Sequence, residues 1–181
     1  MRIIGLSGSP SAFSRSASLL RLAQGRLRQA GHDVHAISLR DLPATALLSA
    51  DAREPALRAA LDAVARADAV IVSTPIYKAA YSGLLKTFLD LLPQDGLRGR
   101  TVLPLATGGS LAHLLALDYA LRPVLSALGA RDVLDPVFAT DTQLVPLPDG
   151  GHQPDEALRL RLERVMAPLM DAAPRDIRCS A

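Results

Sequence analysis

The chain has 181 residues, 20 Lys and Arg against 18 Asp and Glu, and a hydrophobic fraction of 49%. That balance excludes a disordered chain and gives one domain enough apolar material for a core. Aromatics at 3%, no Trp and no block of basic residues leave neither a base-stacking platform nor an electrostatic footprint for nucleic acid.

The sequence pI near 9.0 is compatible with anionic small molecules. No apolar run approaches the roughly 20 residues that span a bilayer. The N-terminus enters an apolar strand at once, without the charged start of a secretion signal. The single cysteine, Cys179, lies near the chain end and reads as a frayed-tail thiol without a catalytic role. With no disulfide possible within the chain, the expected compartment is the cytoplasm.

In chain order, Ile3 to Leu6 reads as a buried strand stopped by Ser-Gly-Ser-Pro. From Ser16 to Ala30, Leu19, Leu20, Ala23 and Leu27 recur at helical spacing, and Gly31 ends the helix. Val34 to Leu39 is a second strand, a loop spans Pro43 to Pro55, and Ala56 to Arg66 is a second helix. Ala69 to Val72 is a third strand, followed by a helix from Gly83 to Leu92. Thr101 to Ala106 is a fourth strand and Leu111 to Leu128 one long helix closed by Gly129. Val133 to Phe138 is a fifth strand. A Pro/Gly-rich stretch, Pro146 to Pro154, leads to a last helix over Glu156 to Ala172.

Five strands alternating with five helices predict an α/β domain built on a parallel sheet, because each crossover holds a helix. Residues 1–174 are expected to form this single domain and residues 175–181 a tail. The flavodoxin-like doubly wound order 2-1-3-4-5 suits five strands, with helices on both faces and ligand at the carboxyl ends of the strands.

The unusual residues lie at those ends. After the first strand, Ser7-Gly8-Ser9-Pro10-Ser11 through Ser14-Arg15-Ser16-Ala17-Ser18 offers hydroxyls, main-chain N–H groups, a helix N-terminus and a guanidinium. That combination favours a phosphate, although such serines also cap helices and shape surface turns. The loop matches neither the P-loop nor the dinucleotide fingerprint, leaving a single phosphate monoester.

The third strand ends Thr74-Pro75-Ile76-Tyr77-Lys78, a loop aromatic beside a proline that suits a flat ring, or else packs on its own helix. The fourth ends Thr107-Gly108-Gly109-Ser110, where main-chain N–H groups could approach a ligand edge, or where the chain simply turns. Lys86 and Asp90, at i and i+4, pair on a helix surface. His113 is read as a core or interface residue. No metal site and no acid–base catalyst is assigned.

Together, Gly8-Ser9-Pro10 with Ser14 to Leu20, Thr74 to Thr87, and Leu103 to Gly109 running through Asp118-Tyr119-Ala120-Leu121 to Leu125 resemble the NADPH-dependent FMN reductase family. Within it they are similar to the branch serving two-component alkanesulfonate monooxygenases. The resemblance implies that Ser9, Arg15, Ser16 and Ser18 hold the FMN phosphate. Pro75, Ile76, Tyr77 and Lys78 would lie along the isoalloxazine, with Thr107, Gly108, Gly109 and Ser110 on its other side.

It also implies NADPH, or NADH, as hydride donor, a flavin-dependent monooxygenase receiving reduced FMN, and a homodimer or homotetramer. The wider family often has Asn in place of Ser18 and of Lys78. Alternatives are an FMN-containing quinone, azo-dye or metal reductase that keeps its flavin, a flavodoxin-like electron carrier, and a ligand-free interaction module.

Pro123 has no N–H, so in α geometry the Tyr119 carbonyl lacks its donor. An ordinary kink or a π-bulge would relieve this. In the branch it resembles, a tyrosine at this position accompanies such a bulge at a subunit interface near the flavin.

Overall fold

The computed structural model describes residues 1–148 and 150–172; Cys179 and the expected 175–181 tail lie outside them. The central sheet is parallel. It runs β2 (Asp33–Ser38), β1 (Arg2–Ser7), β3 (Ala69–Tyr77), β5 (Thr101–Gly108), and then two short strands in the fifth position, β6 (Asp132–Val133) and β7 (Val137–Thr140). The order is the doubly wound 2-1-3-4-5 expected. β4 (Ala80–Tyr81) folds back antiparallel on the end of β3.

β3 and β5 sit mid-sheet. Ala69 to Pro75 and the whole of β5 are buried, as strands covered on both faces must be. Helices α1 (Arg15–Gln29) and α6 (Glu156–Met170) cover one face, packing Leu19, Leu27, Leu158 and Met166 on Ile3, Ile71 and Leu103. Helices α2 (Ala44–Leu48), α3 (Pro55–Ala65), α4 (Gly83–Leu89) and α5 (Arg122–Ala127) cover the other, with Leu57, Val64, Leu85, Phe88 and Leu125 on Ile4, Val70, Val72 and Val102. No helix among the described residues is long and apolar enough to cross a membrane.

Six α-helices form where five were expected, because the Pro43–Pro55 loop contains α2. The fifth strand is split at residues 134–136, where Pro136 lies opposite Pro104 of β5. β6 pairs with Thr101 and Val102, and β7 resumes at Leu105. Two residues of β5 therefore face three on the edge, a one-residue bulge. The Val102 carbonyl accepts from Leu134 N–H. Alternate residues share an edge, so Pro104, which has no N–H, faces the same gap as Pro136.

The Pro146–Pro154 stretch is not a plain loop. It forms a hairpin of β8 (Leu144–Pro146) and β9 (His152–Pro154).

The expected long helix over Leu111–Leu128 is also corrected. A 3-10 turn at Leu111–His113 is followed by a π segment at Leu117–Leu121 and only then by α5. Arg122 N–H reaches back five residues to the Leu117 carbonyl. Of the kink and the π-bulge, the structure therefore shows a π segment that ends two residues before Pro123.

Candidate active site

One cleft of about 310 Å³ lies at the carboxyl edge of the sheet. It is lined by Ser11, Phe13, Ser14 and Arg15 from the loop after β1, by Pro75, Ile76 and Tyr77 from β3, and by Thr107, Gly108, Gly109 and Asp141. Three strand ends distant in sequence therefore meet at one place.

The loop after β1 is tied down from below. Gly8 N–H donates to the Ser73 carbonyl at 2.8 Å, and the Ser82 hydroxyl donates to the Gly8 carbonyl at 2.5 Å. The Ser73 hydroxyl donates to the Ser16 carbonyl at 2.8 Å, which fixes the first turn of α1 on β3. Gly8 must be glycine here, since an added Cβ would stand 2.8 Å from Leu85 Cβ.

The serines divide their work. Ser14 is the N-cap of α1, its hydroxyl accepting from Ala17 N–H, and Ser16 is buried with its hydroxyl 3.2 Å from that of Ser14. The buried Ser9 hydroxyl accepts from Ser11 N–H.

Ser18 is not part of the cleft lining. Arg21 donates to its oxygen at 2.7 Å, which leaves its hydrogen for His152 Nδ1 at 3.0 Å. The β8–β9 hairpin is thereby fastened to α1. Burial first, then the Arg15 and Arg21 charges, hold His152 below the ordinary histidine pKa, with Asp141 opposing. A neutral ring accepting from Ser18 fits that direction.

Arg15 opens α1 at the cleft. Its Nε is buried without a hydrogen-bond partner, and Asp141 Oδ1 lies 3.5 Å away. Tyr77 is half exposed on one side of the cleft, and the exposed Phe13 ring packs against Gly150.

Lys78, expected along the ring, sits beyond the cleft lining at the tip of the β3–β4 turn. Lys78 and Ala79 both hold positive φ, 49° and 63°, which a two-residue hairpin turn of this hand demands and non-glycine residues resist.

Gly108, the last residue of β5, and Gly109 just beyond it have different reasons. A Cβ on Gly108 would press Phe138 at 3.0 Å, a packing constraint, whereas one on Gly109 would meet only Asp141 Oδ2 at 3.9 Å. Ser110, beyond the lining, caps the following turn through Ala112 N–H. Lys86 and Asp90 pair at 2.5 Å as the i, i+4 spacing predicts.

Ser11, Phe13, Ser14 and Asp141 line the cleft without having been singled out in the sequence. Asp141 could have been found, since it follows the end of the fifth strand, where a doubly wound fold gathers ligand contacts.

The π segment packs against β4 on the hairpin side of the site, with Tyr119 77% exposed. Leu111, Leu114 and Leu115 are exposed too, while Leu117, Leu121, Leu125 and Leu128 are buried.

The chain is 48% identical over 177 residues to the FMN reductase (NADPH) of Escherichia coli K12, covering 97% of this chain and 91% of that one. It is 50% identical over 144 residues to the FMN reductase (NADPH) of Pseudomonas putida, covering 80% and 73%. Among solved structures, the apo form of the NADH:FMN oxidoreductase EMOB superposes with a TM-score of 0.87 at 39% identity, covering 97% of this chain and 91% of that one. Residues 1–144 match the model of the family described as NADPH-dependent FMN reductase, and the chain belongs to that family.

Proposed function

We propose that this NAD(P)H-dependent FMN reductase binds FMN in the cleft as an exchangeable substrate and passes it, reduced, to a flavin-dependent monooxygenase, in sulfonate desulfonation. The observation that carries the binding reading is the buried Arg15 Nε at the head of α1, which lacks a hydrogen-bond partner, in a cleft that three strand ends share.

The residues fit the nucleotide. Arg15 and the N-terminus of α1 suit its phosphate, with the buried Ser9 and Ser16 shaping the turn beneath. Pro75, Ile76 and Tyr77 give a partly apolar wall, and Gly109 bares its main chain opposite. When bound, FMN accepts a hydride and supplies the redox chemistry. The protein's part is to orient two rings and set their separation, which requires no acid–base residue.

The sulfonate assignment rests on the resemblance of the segments around Arg15, Tyr77 and Tyr119 to the alkanesulfonate branch. The exposed apolar run of Leu111, Leu114, Leu115 and Tyr119 supports a homodimer or homotetramer.

Two measurements test the proposal. Arg15→Ala should weaken FMN binding by about 1.5–3 kcal/mol and leave riboflavin binding nearly unchanged, because only FMN has the phosphate. Equal losses for both flavins would remove the phosphate from Arg15. Anaerobic titration with NADPH and with NADH, excess FMN present, reads the preferred donor. Flavin that stays with the protein through sizing and turnover would favour a reductase with a resident cofactor.

A further inference from the structure

The cleft contains its own anion. Asp141 begins the turn after β7, lines the cleft, and holds its carboxylate 3.5 Å from the buried Nε of Arg15. That spacing is too long for a hydrogen bond, and Nε has no other partner. The pair is therefore loose: the two charges meet at Nε without a hydrogen bond, and both side chains are partly exposed. Asp141 Oδ2 also stands 3.9 Å from where a Gly109 Cβ would be, so the same carboxylate touches the space left beside the bare β5 main chain.

From this geometry we infer that Asp141 is a built-in competitor of the flavin phosphate for Arg15. The inference rests on the reading that Arg15 receives the phosphate. In the free protein the carboxylate occupies the field that a phosphate would use. An arriving phosphate dianion must then share Arg15 with Asp141 and lie close to a like charge. Burial, then the Arg15 and Arg21 charges, lower the His152 pKa, which disfavours a compensating positive charge there. Asp141 thus lowers affinity for the phosphorylated flavin specifically. It gives a physical basis for an FMN that leaves after reduction, in a site whose other contacts favour binding.

The test is a set of four proteins, wild type, Asp141→Asn, Arg15→Ala and the double variant. Each is titrated with FMN and with riboflavin by flavin fluorescence, and release rates are read by stopped-flow displacement. Asp141→Asn keeps the shape and removes the charge. It should tighten FMN about three- to tenfold, slow FMN release in proportion, and leave riboflavin unchanged. In the Arg15→Ala background the same substitution should lose most of its effect if competition for Arg15 is the cause.

Unchanged or weaker FMN binding in Asp141→Asn overturns the competitor role while leaving the phosphate reading intact, provided Arg15→Ala still separates FMN from riboflavin. Riboflavin tightening as much as FMN also overturns it, placing the carboxylate against the ring. An Arg15→Ala variant that binds both flavins as wild type does overturns the inference together with the reading beneath it.

Discussion

The same substitution, Gly→Ala, should have opposite signs at Gly8 and Gly25, seventeen residues apart in the chain. At Gly8 the new Cβ would stand 2.8 Å from Leu85 Cβ, 3.2 Å from the Ser73 carbonyl oxygen and 3.3 Å from the Ser82 hydroxyl. Two of the three obstacles are a main-chain atom and a Cβ on α4, neither of which can swing away. Relief requires the loop after β1 to part from β3 and α4, stretching the Gly8–Ser73 and Ser82–Gly8 hydrogen bonds. Overpacking of this kind costs about 1–3 kcal/mol. For a chain of this length, a loss of about 2 kcal/mol lowers Tm by roughly 4–8 °C.

At Gly25, inside α1, an added Cβ meets nothing within 4 Å. Alanine there should stabilise by about 0.5–1 kcal/mol through the lower entropy of the unfolded chain. Thermal and urea unfolding of both variants, flavin-free and at equal protomer concentration, reads the two signs. A Gly8→Ala protein as stable as wild type would refute the claim that the loop is clamped from below. A Gly25→Ala protein destabilised as much as Gly8→Ala would refute the steric accounting.

Three more perturbations follow from the rim of the site. Ala79→Gly, at φ 63°, should stabilise by about 0.5–1 kcal/mol instead of showing the usual loss, and a lower Tm would mean the turn is unstrained. His152, with its pKa lowered in the fold, contributes fully above about pH 6.5 and loses that contribution as pH falls through the lowered value. His152→Gln should therefore show a shallower fall of Tm than wild type between about pH 7 and pH 5, and parallel curves would dismiss the effect. Deleting Tyr119 should return the π segment to i→i+4 register and, on the proposed homo-oligomer, alter assembly and favour flavin retention over turnover with free FMN. Light scattering and FMN kinetics unchanged from wild type would sink that reading.

Much of the fold was legible because glycine, proline and apolar periodicity mark where elements start and stop. What was not legible depends on pairing. β3 and β5 outrun their apolar segments because Thr74 pairs with Ala106 and Pro75 with Thr107, so the ladder carries both strands into the cleft. Hydrophobicity could not reveal that. The leucines from Leu111 to Leu128 read as one helix because periodicity does not distinguish a core leucine from an exposed one, and Leu111, Leu114 and Leu115 are exposed. The loop around Arg15 borders the cleft, but through Ser11 and Ser14 rather than Ser9, Ser16 and Ser18, and a hydroxyl both donates and accepts. Sequence could not say that Ser14, Ser16 and Ser18 would bond to Ala17, to one another and to His152. Asp141 escaped notice for a related reason: an acidic residue does not advertise an anion site.

The positions of these features around the cleft fit one another. Its floor is stitched together by hydrogen bonds from Gly8, Ser73 and Ser82. The costly features gather at the rim. Lys78 and Ala79 hold left-handed backbone at the hairpin tip, the π segment packs on β4 of that hairpin, and Arg15 and Asp141 form an unclosed ion pair across the cleft. Local strain persists only where the surrounding structure over-determines it. Here that structure is the stitched floor. A site meant to retain its flavin would gain by closing the Arg15 pair and relaxing the turn. On the proposed reading of FMN as an exchangeable substrate, a rigid floor beneath an uncompensated rim would define ring geometry without a deep binding minimum.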